Sequence, residues 1–299
     1  MLGDLPPLLT PEITIIETRR EDGFRIEKIA FDNGADATVY GWLLLPDELA
    51  QPAPAILYQH YHGGRYELGK DVVFQQTQYS YGDGVTLVKQ GYVVLAVDSY
   101  AFGERQQQGP AGERESGRQT EHALFKQFLW QGKSLWGMIV RDDLLALNYL
   151  CTRPEVDPSR IGTTGMSMGG SRATWLSALD DRIRVTIPLN QMVRCYDFDA
   201  RGDYERLSFY LFVPGLLAAG IDMEHIASLT APRPQLVLVG GNDVLSPTNG
   251  VRVVDQFAQH IYGLYEAADH FETVIYPGVG HEYTPEIHRS MLDYFARYL

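Results

Sequence analysis

From residue 55 onward the chain repeats one pattern: a short, nearly continuous apolar run, then a longer stretch with helical spacing. The runs are AILYQHY (55–61), YVVLAVD (92–98), IGTTGMS (161–167), RVTIPLN (184–190), QLVLVG (235–240) and FETVIYP (271–277). Strands buried on both faces read this way, whereas a strand with one wet face alternates. Helices are expected between and after them, over 134–153, 169–180, 248–268 and 286–299. Strands alternating with helices predict an α/β fold, an open and mostly parallel sheet with helices on both faces. Ahead of it, FRIEKIAF (24–31) and TVYGWLLLP (38–46) flank the turn DNGAD and predict an N-terminal antiparallel hairpin. The expected organisation is a single domain over residues 1–299, broken by two insertions at about 102–133 and 193–230. Insertions of this length usually form pocket walls or lids.

The net charge of −13 argues against nucleic acid and against an anionic membrane surface as partners. Two cysteines, Cys151 and Cys195, cannot build a disulfide framework or a four-thiolate zinc site. The segment MLGDLPPLLTPE has no basic start and carries Asp4 within its apolar patch, so it does not read as a signal peptide. No run of 18 apolar residues exists, so no membrane span is expected, and with no signal peptide visible the expected location is cytoplasmic. A homo-oligomer contact through helix 286–299 or the N-terminal edge strand is left open.

The chemistry concentrates at GMSMG (165–169), a G-x-S-x-G pattern between an apolar run and a helix. A sharp strand–turn–helix bend needs neighbours without bulk, and it lifts Ser167 above the sheet edge at a helix N-terminus. The N–H of Met168 can then donate to an oxyanion. A serine nucleophile needs a base, and the base needs a carboxylate to orient it, in the chain order Ser, Asp or Glu, His. VLVGGNDVLSP places Asp243 just past one run, and VIYPGVGHEYTPE places His281 just past another. Both fall at strand C-terminal ends, the ligand-binding edge of open α/β sheets. Glu282 would point elsewhere, His270 lies at the opposite edge, and His260 and His288 are expected to be solvated on helices.

The second oxyanion donor is expected from YQHYHGGRY (58–66), as the N–H of Tyr61 or of His62, with Gly63 and Gly64 giving the backbone room to approach. His60 and His62 form an H-x-H pair, but the third protein ligand that zinc requires is missing. The tripeptide GKS (132–134) is no P-loop, because Gln127 stands where its first glycine belongs. No metal and no cofactor are therefore expected.

The blocks AVDSYAFGER (96–105), 132–170, APRPQLVLVGGNDVLSP (231–247) and YPGVGHEY (276–283) resemble α/β-hydrolases of the acetyl xylan esterase and dienelactone-hydrolase-like branch. The resemblance spans most of the chain from about residue 50. It implies an α/β-hydrolase fold with Ser167 as nucleophile, Asp243 as orienter and His281 as base. It also implies a small-molecule ester as substrate, with small acyl groups favoured. Serine stands where dienelactone hydrolases proper carry cysteine, which argues against lactone chemistry. The alternatives are a peptidase or other acyl hydrolase on the same triad, or a non-catalytic scaffold. Within DSYAFGER, Asp98 is expected to tie its loop together, and Glu104 and Arg105 to form internal ion pairs rather than to touch substrate.

Overall fold

A computed structural model describes residues 2–299. Nine strands form one twisted sheet: β1 (Thr14–Glu21), β2 (Phe24–Asp32), β3 (Thr38–Pro46), β4 (Ala53–Gln59), β7 (Val93–Val97), β8 (Val156–Met166), β9 (Ile183–Leu189), β10 (Gln235–Gly240) and β11 (Phe271–Tyr276). A separate small ribbon pairs β5 (Gln76–Thr77) with β6 (Ser80–Tyr81). The strand order is β1-β2-β3-β7-β4-β8-β9-β10-β11. Pairing is antiparallel through β3 and its partner β7, and parallel from β7 to β11.

The expected hairpin is β2–β3, but it is not the start of the sheet. β1 precedes it and pairs with β2. Every residue of β1 is exposed. An edge strand with no buried face has no apolar period to betray it, and its sequence TIIETRRE is charged, as free edges generally are.

The helices are α1 (Asp83–Lys89), α2 (Arg118–Trp130), α3 (Leu135–Leu150), α4 (Met168–Leu179), α5 (Cys195–Arg201), α6 (Met223–Ser228), α7 (Thr248–Leu264) and α8 (Pro285–Tyr298). Leu87 and Val88 of α1 and Ile287, Met291 and Phe295 of α8 cover one face of the sheet. Leu145–Leu147 of α3 and Leu176 of α4 bury against the other, joined further along by Val251 and Val254 of α7. Ser134 caps α3 by accepting from the Gly137 N–H at 3.0 Å. Thr284 caps α8, which opens with Pro285 where a missing N–H costs nothing. No helix among the described residues is long and apolar enough to cross a membrane.

Charged side chains inside this core pair with one another. Arg172 of α4 meets Asp143 of α3 at 2.5 and 3.0 Å, both fully buried. Arg105 reaches Asp142 at 2.9 Å and stacks on Tyr100. Burial pushes both carboxyls up, and their arginines pull them back. Removing one member of such a pair strands a buried charge, at roughly 3–5 kcal/mol. Glu104 bonds Lys28 and Lys70, so Glu104 and Arg105 are both structural. Asp98 accepts from the Lys70 N–H at 2.7 Å and the Glu104 N–H at 3.1 Å, tying two loops together behind the site.

Candidate active site

Strand β8 ends at Met166, and the chain turns sharply at Ser167 into α4. Ser167 has φ +57° and ψ −118°, a region that costs a non-glycine residue about 1–3 kcal/mol. Its N–H is held by the Leu189 carbonyl at 2.9 Å. The bend lies directly on the end of β4. A Cβ on Gly165 would come 2.2 Å from the Gln59 carbonyl oxygen, and one on Gly169 would come 2.0 Å from the same atom. The glycines of GMSMG are thus fixed by the approach of two backbones. Gly169→Ala is expected to lower stability by about 3 kcal/mol, the upper end for overpacking, since the obstructing atom is main chain. A melting temperature within 2 °C of wild type, roughly 1 kcal/mol for a chain of this size, would contradict that packing.

Asp243 sits in the loop after β10 and is buried. Its Oδ1 accepts from the Leu245 N–H at 2.8 Å, and its Oδ2 lies 2.7 Å from His281 Nδ1. The Nε2 of His281 lies 3.0 Å from Ser167 Oγ. An ionised carboxylate can only accept, so Nδ1 carries the ring proton and Nε2 is left to accept from the serine hydroxyl. The structure therefore brings Ser167, His281 and Asp243 into one hydrogen-bonded chain. Glu282 turns away to accept from the Gly280 N–H.

Met168 is the first residue of α4, where a backbone N–H has no intrahelical acceptor. Tyr61 and His62 lie across the same cavity, and among the described residues no carbonyl accepts from either N–H. Their loop is pinned by histidines. His62 Nδ1 accepts from the Gly64 N–H at 3.1 Å, so its Nε2 donates to Glu121 of α2 at 3.2 Å. His60 Nε2 accepts from the Ser99 N–H at 3.0 Å, so its Nδ1 donates to the Tyr61 carbonyl at 2.9 Å. Burial, with Arg172 nearby, holds His60 well below the ordinary imidazole range, so it stays neutral. Both ring nitrogens of each histidine are engaged by protein, which gives the H-x-H pair a structural role.

The cavity over Ser167 has a volume of about 230 Å³. Its walls include Tyr61, His62, Tyr79, Asn190 and Leu245, with Val193, Arg206, Leu207, Ser208, Tyr210 and Leu211 from the second insertion. The first insertion (102–133) contributes nothing to that lining. It stands behind the wall instead, with Phe102 packed on His62 and Glu121 bonded to it. Of the aromatics in the two insertions only Tyr210 reaches the cavity; Phe128 and Phe198 are core, and Trp130 is 92% exposed. His288 is not solvated as expected: its Nδ1 lies 2.8 Å from buried Asp83 and its ring stacks on Tyr81. Tyr79 and Glu121 gave no sequence signal, because one sits between two-residue strands and the other is a lone acid on a polar helix.

The acetyl xylan esterase (AXE1) family pattern matches residues 12–213. Across 305 residues the chain is 36% identical to "Putative hydrolase YtaP" of Bacillus subtilis (strain 168), covering 100% of this chain and 96% of that one. The chain belongs to the acetyl xylan esterase family. It is an enzyme that cleaves carboxylic esters. Solved structures agree in fold. Acetyl xylan esterase 1 from Thermoanaerobacterium sp. JW/SL YS485 superposes with a TM-score of 0.66 at 20% identity, over 97% of this chain and 88% of that one. The glucuronoyl esterase from Solibacter usitatus gives 0.67 at 16% identity, over 99% and 88%. In this esterase the family match takes in Ser167 and the Tyr61–His62 loop. Asp243 and His281 lie beyond its end, inside the span shared with the B. subtilis relative.

Proposed function

We propose that this esterase hydrolyses short-acyl esters of polar alcohols, acetyl esters foremost, through an acyl-enzyme on Ser167. The observation that carries the reading is the Ser167–His281–Asp243 chain, with contacts of 3.0 and 2.7 Å, opening into a small cavity. His281 Nε2 takes the Ser167 proton as Oγ attacks the ester carbonyl. The N–H groups of Met168 and of Tyr61 or His62 hold the oxyanion, each contributing about 3–4 kcal/mol to lowering the barrier. The imidazolium, steadied by Asp243, returns its proton to the departing alcohol. Water then attacks the acyl-enzyme with the same proton transfers and releases the acid.

The cavity supports a small acyl group. Its 230 Å³ is below the common range for drug-sized ligands, roughly 300–1,000 Å³. Its lining includes Tyr79, Arg206 and Ser208, groups that hydrogen-bond a hydroxylated alcohol rather than a hydrocarbon. The test is kcat/KM for p-nitrophenyl esters from acetate to octanoate, beside acetylated sugars and a peptide p-nitroanilide. Acetate should exceed octanoate by at least about tenfold, since each methylene that does not fit is worth a factor of that order. Octanoate equal to acetate would overturn the small-acyl reading. Faster cleavage of the anilide would overturn the ester reading in favour of a peptidase.

A further inference from the structure

Three separate loops must meet for the Ser167 chain to exist, and one side chain touches two of them while its neighbour holds the third. Asn190 follows β9 at the catalytic edge of the sheet and is 1% exposed. Its Oδ1 accepts from the Gly240 N–H at 2.6 Å, at the root of the loop bearing Asp243. Its Nδ2 donates to the Glu282 carbonyl at 2.5 Å, one residue past His281. Its own N–H is fixed by the Leu238 carbonyl at 2.7 Å, and the preceding Leu189 carbonyl accepts from the Ser167 N–H at 2.9 Å. The acid and base loops also bond directly, Gly241 to Tyr276 and Asn242 to Val279. Those bonds do not involve the nucleophile turn.

The residue type fits the task. The backbone at 190 has φ +45°, which asparagine tolerates better than most non-glycine residues. A primary amide offers an acceptor and a two-proton donor on one planar group. Here the oxygen serves the acid loop, and the NH₂ serves the base loop and, at 3.6 Å, the Met166 sulfur next to Ser167. An aspartate could not donate to the Glu282 carbonyl, and an aliphatic residue would leave the buried Gly240 N–H unpaired and release the Glu282 carbonyl.

We propose that Asn190 is a positioning residue for the reaction, setting His281 against Ser167 by locking the base loop and the acid loop to the end of β9. The inference rests on the triad reading above. Asn190 borders the cavity, but it is 1% exposed and both its polar ends are engaged by protein, so its effect falls on alignment rather than on substrate affinity.

The test compares Asn190→Gly and Asn190→Asp with wild type and Ser167→Ala. Glycine keeps the positive φ and deletes both bonds. Aspartate keeps the acceptor for Gly240 and turns the bond to Glu282 into a repulsion. Two rates are read on protein held well below its melting temperature: p-nitrophenyl acetate turnover, and phosphonylation of Ser167 by a fluorophosphonate, followed by intact mass. In Asn190→Gly both rates should fall together by about 10- to 100-fold, the scale of a misplacement near 1 Å, with KM within twofold. Asn190→Asp should fall in the same direction, and it decides the matter if the glycine variant does not fold. Wild-type kcat and phosphonylation in a folded variant, with only the melting temperature lowered, would reduce Asn190 to a structural residue and overturn the proposal. A dead Ser167→Ala beside a fully active Asn190→Gly sinks the role of Asn190 alone; an active Ser167→Ala sinks the triad reading beneath it.

Discussion

Ser167→Ala is expected to lose about 10⁶-fold in kcat for p-nitrophenyl acetate, the scale seen when a serine nucleophile is removed from a working triad. Its fold should be unaffected. Alanine keeps the Cβ, so the strain at φ +57° is the same before and after. The hydroxyl makes one side-chain bond, to His281 Nε2. That ring is only half-buried, so water can replace the lost partner at little cost. A melting temperature near wild type combined with lost turnover is therefore the expected pair. The small remainder should come from the oxyanion donors and from binding. Turnover within a hundredfold of wild type would mean that another nucleophile carries the reaction.

What the sequence revealed and what it concealed divide along a physical line. Strands β4, β7, β9 and β10 are buried on both faces, so burial alone writes them as apolar runs. Ser167, Asp243 and His281 were legible because each lies within five residues of the end of an apolar run, even though β11, the run before His281, is mostly half-buried at the sheet edge, and the fold fixes their order. β1 was not legible, because a strand without a buried face leaves no period. The split between the two insertions was equally hidden. Residues 206–208, 210 and 211 face the cavity, while Glu121 bonds His62 from 59 positions away, and no local pattern encodes a contact of that separation. Asn190 stood in plain view at the end of RVTIPLN. Its meaning depends on Gly240 and Glu282, which only the assembled sheet edge brings beside it.

Asp243→Asn tests the electrostatic half of the site without changing its shape. The Leu245 N–H points at Asp243 Oδ1 from 2.8 Å and can only donate. An asparagine at 243 must therefore place its carbonyl oxygen there, which turns its NH₂ toward His281 Nδ1. Two donors cannot share that 2.7 Å contact. His281 escapes by moving its proton to Nε2, and that proton then points at Ser167 Oγ, where a lone pair is needed. The nucleophile loses its base although every heavy atom keeps its place. The expected loss is about 10⁴-fold in kcat near neutral pH, the magnitude of a wrong tautomer in a serine triad, with KM unchanged. The check is steady-state kinetics on p-nitrophenyl acetate together with the histidine ring-nitrogen NMR shifts, which report which nitrogen of His281 is protonated. Activity above one hundredth of wild type would show that Asp243 does not set the tautomer. The orienting group would then have to be sought among the cavity's other polar side chains.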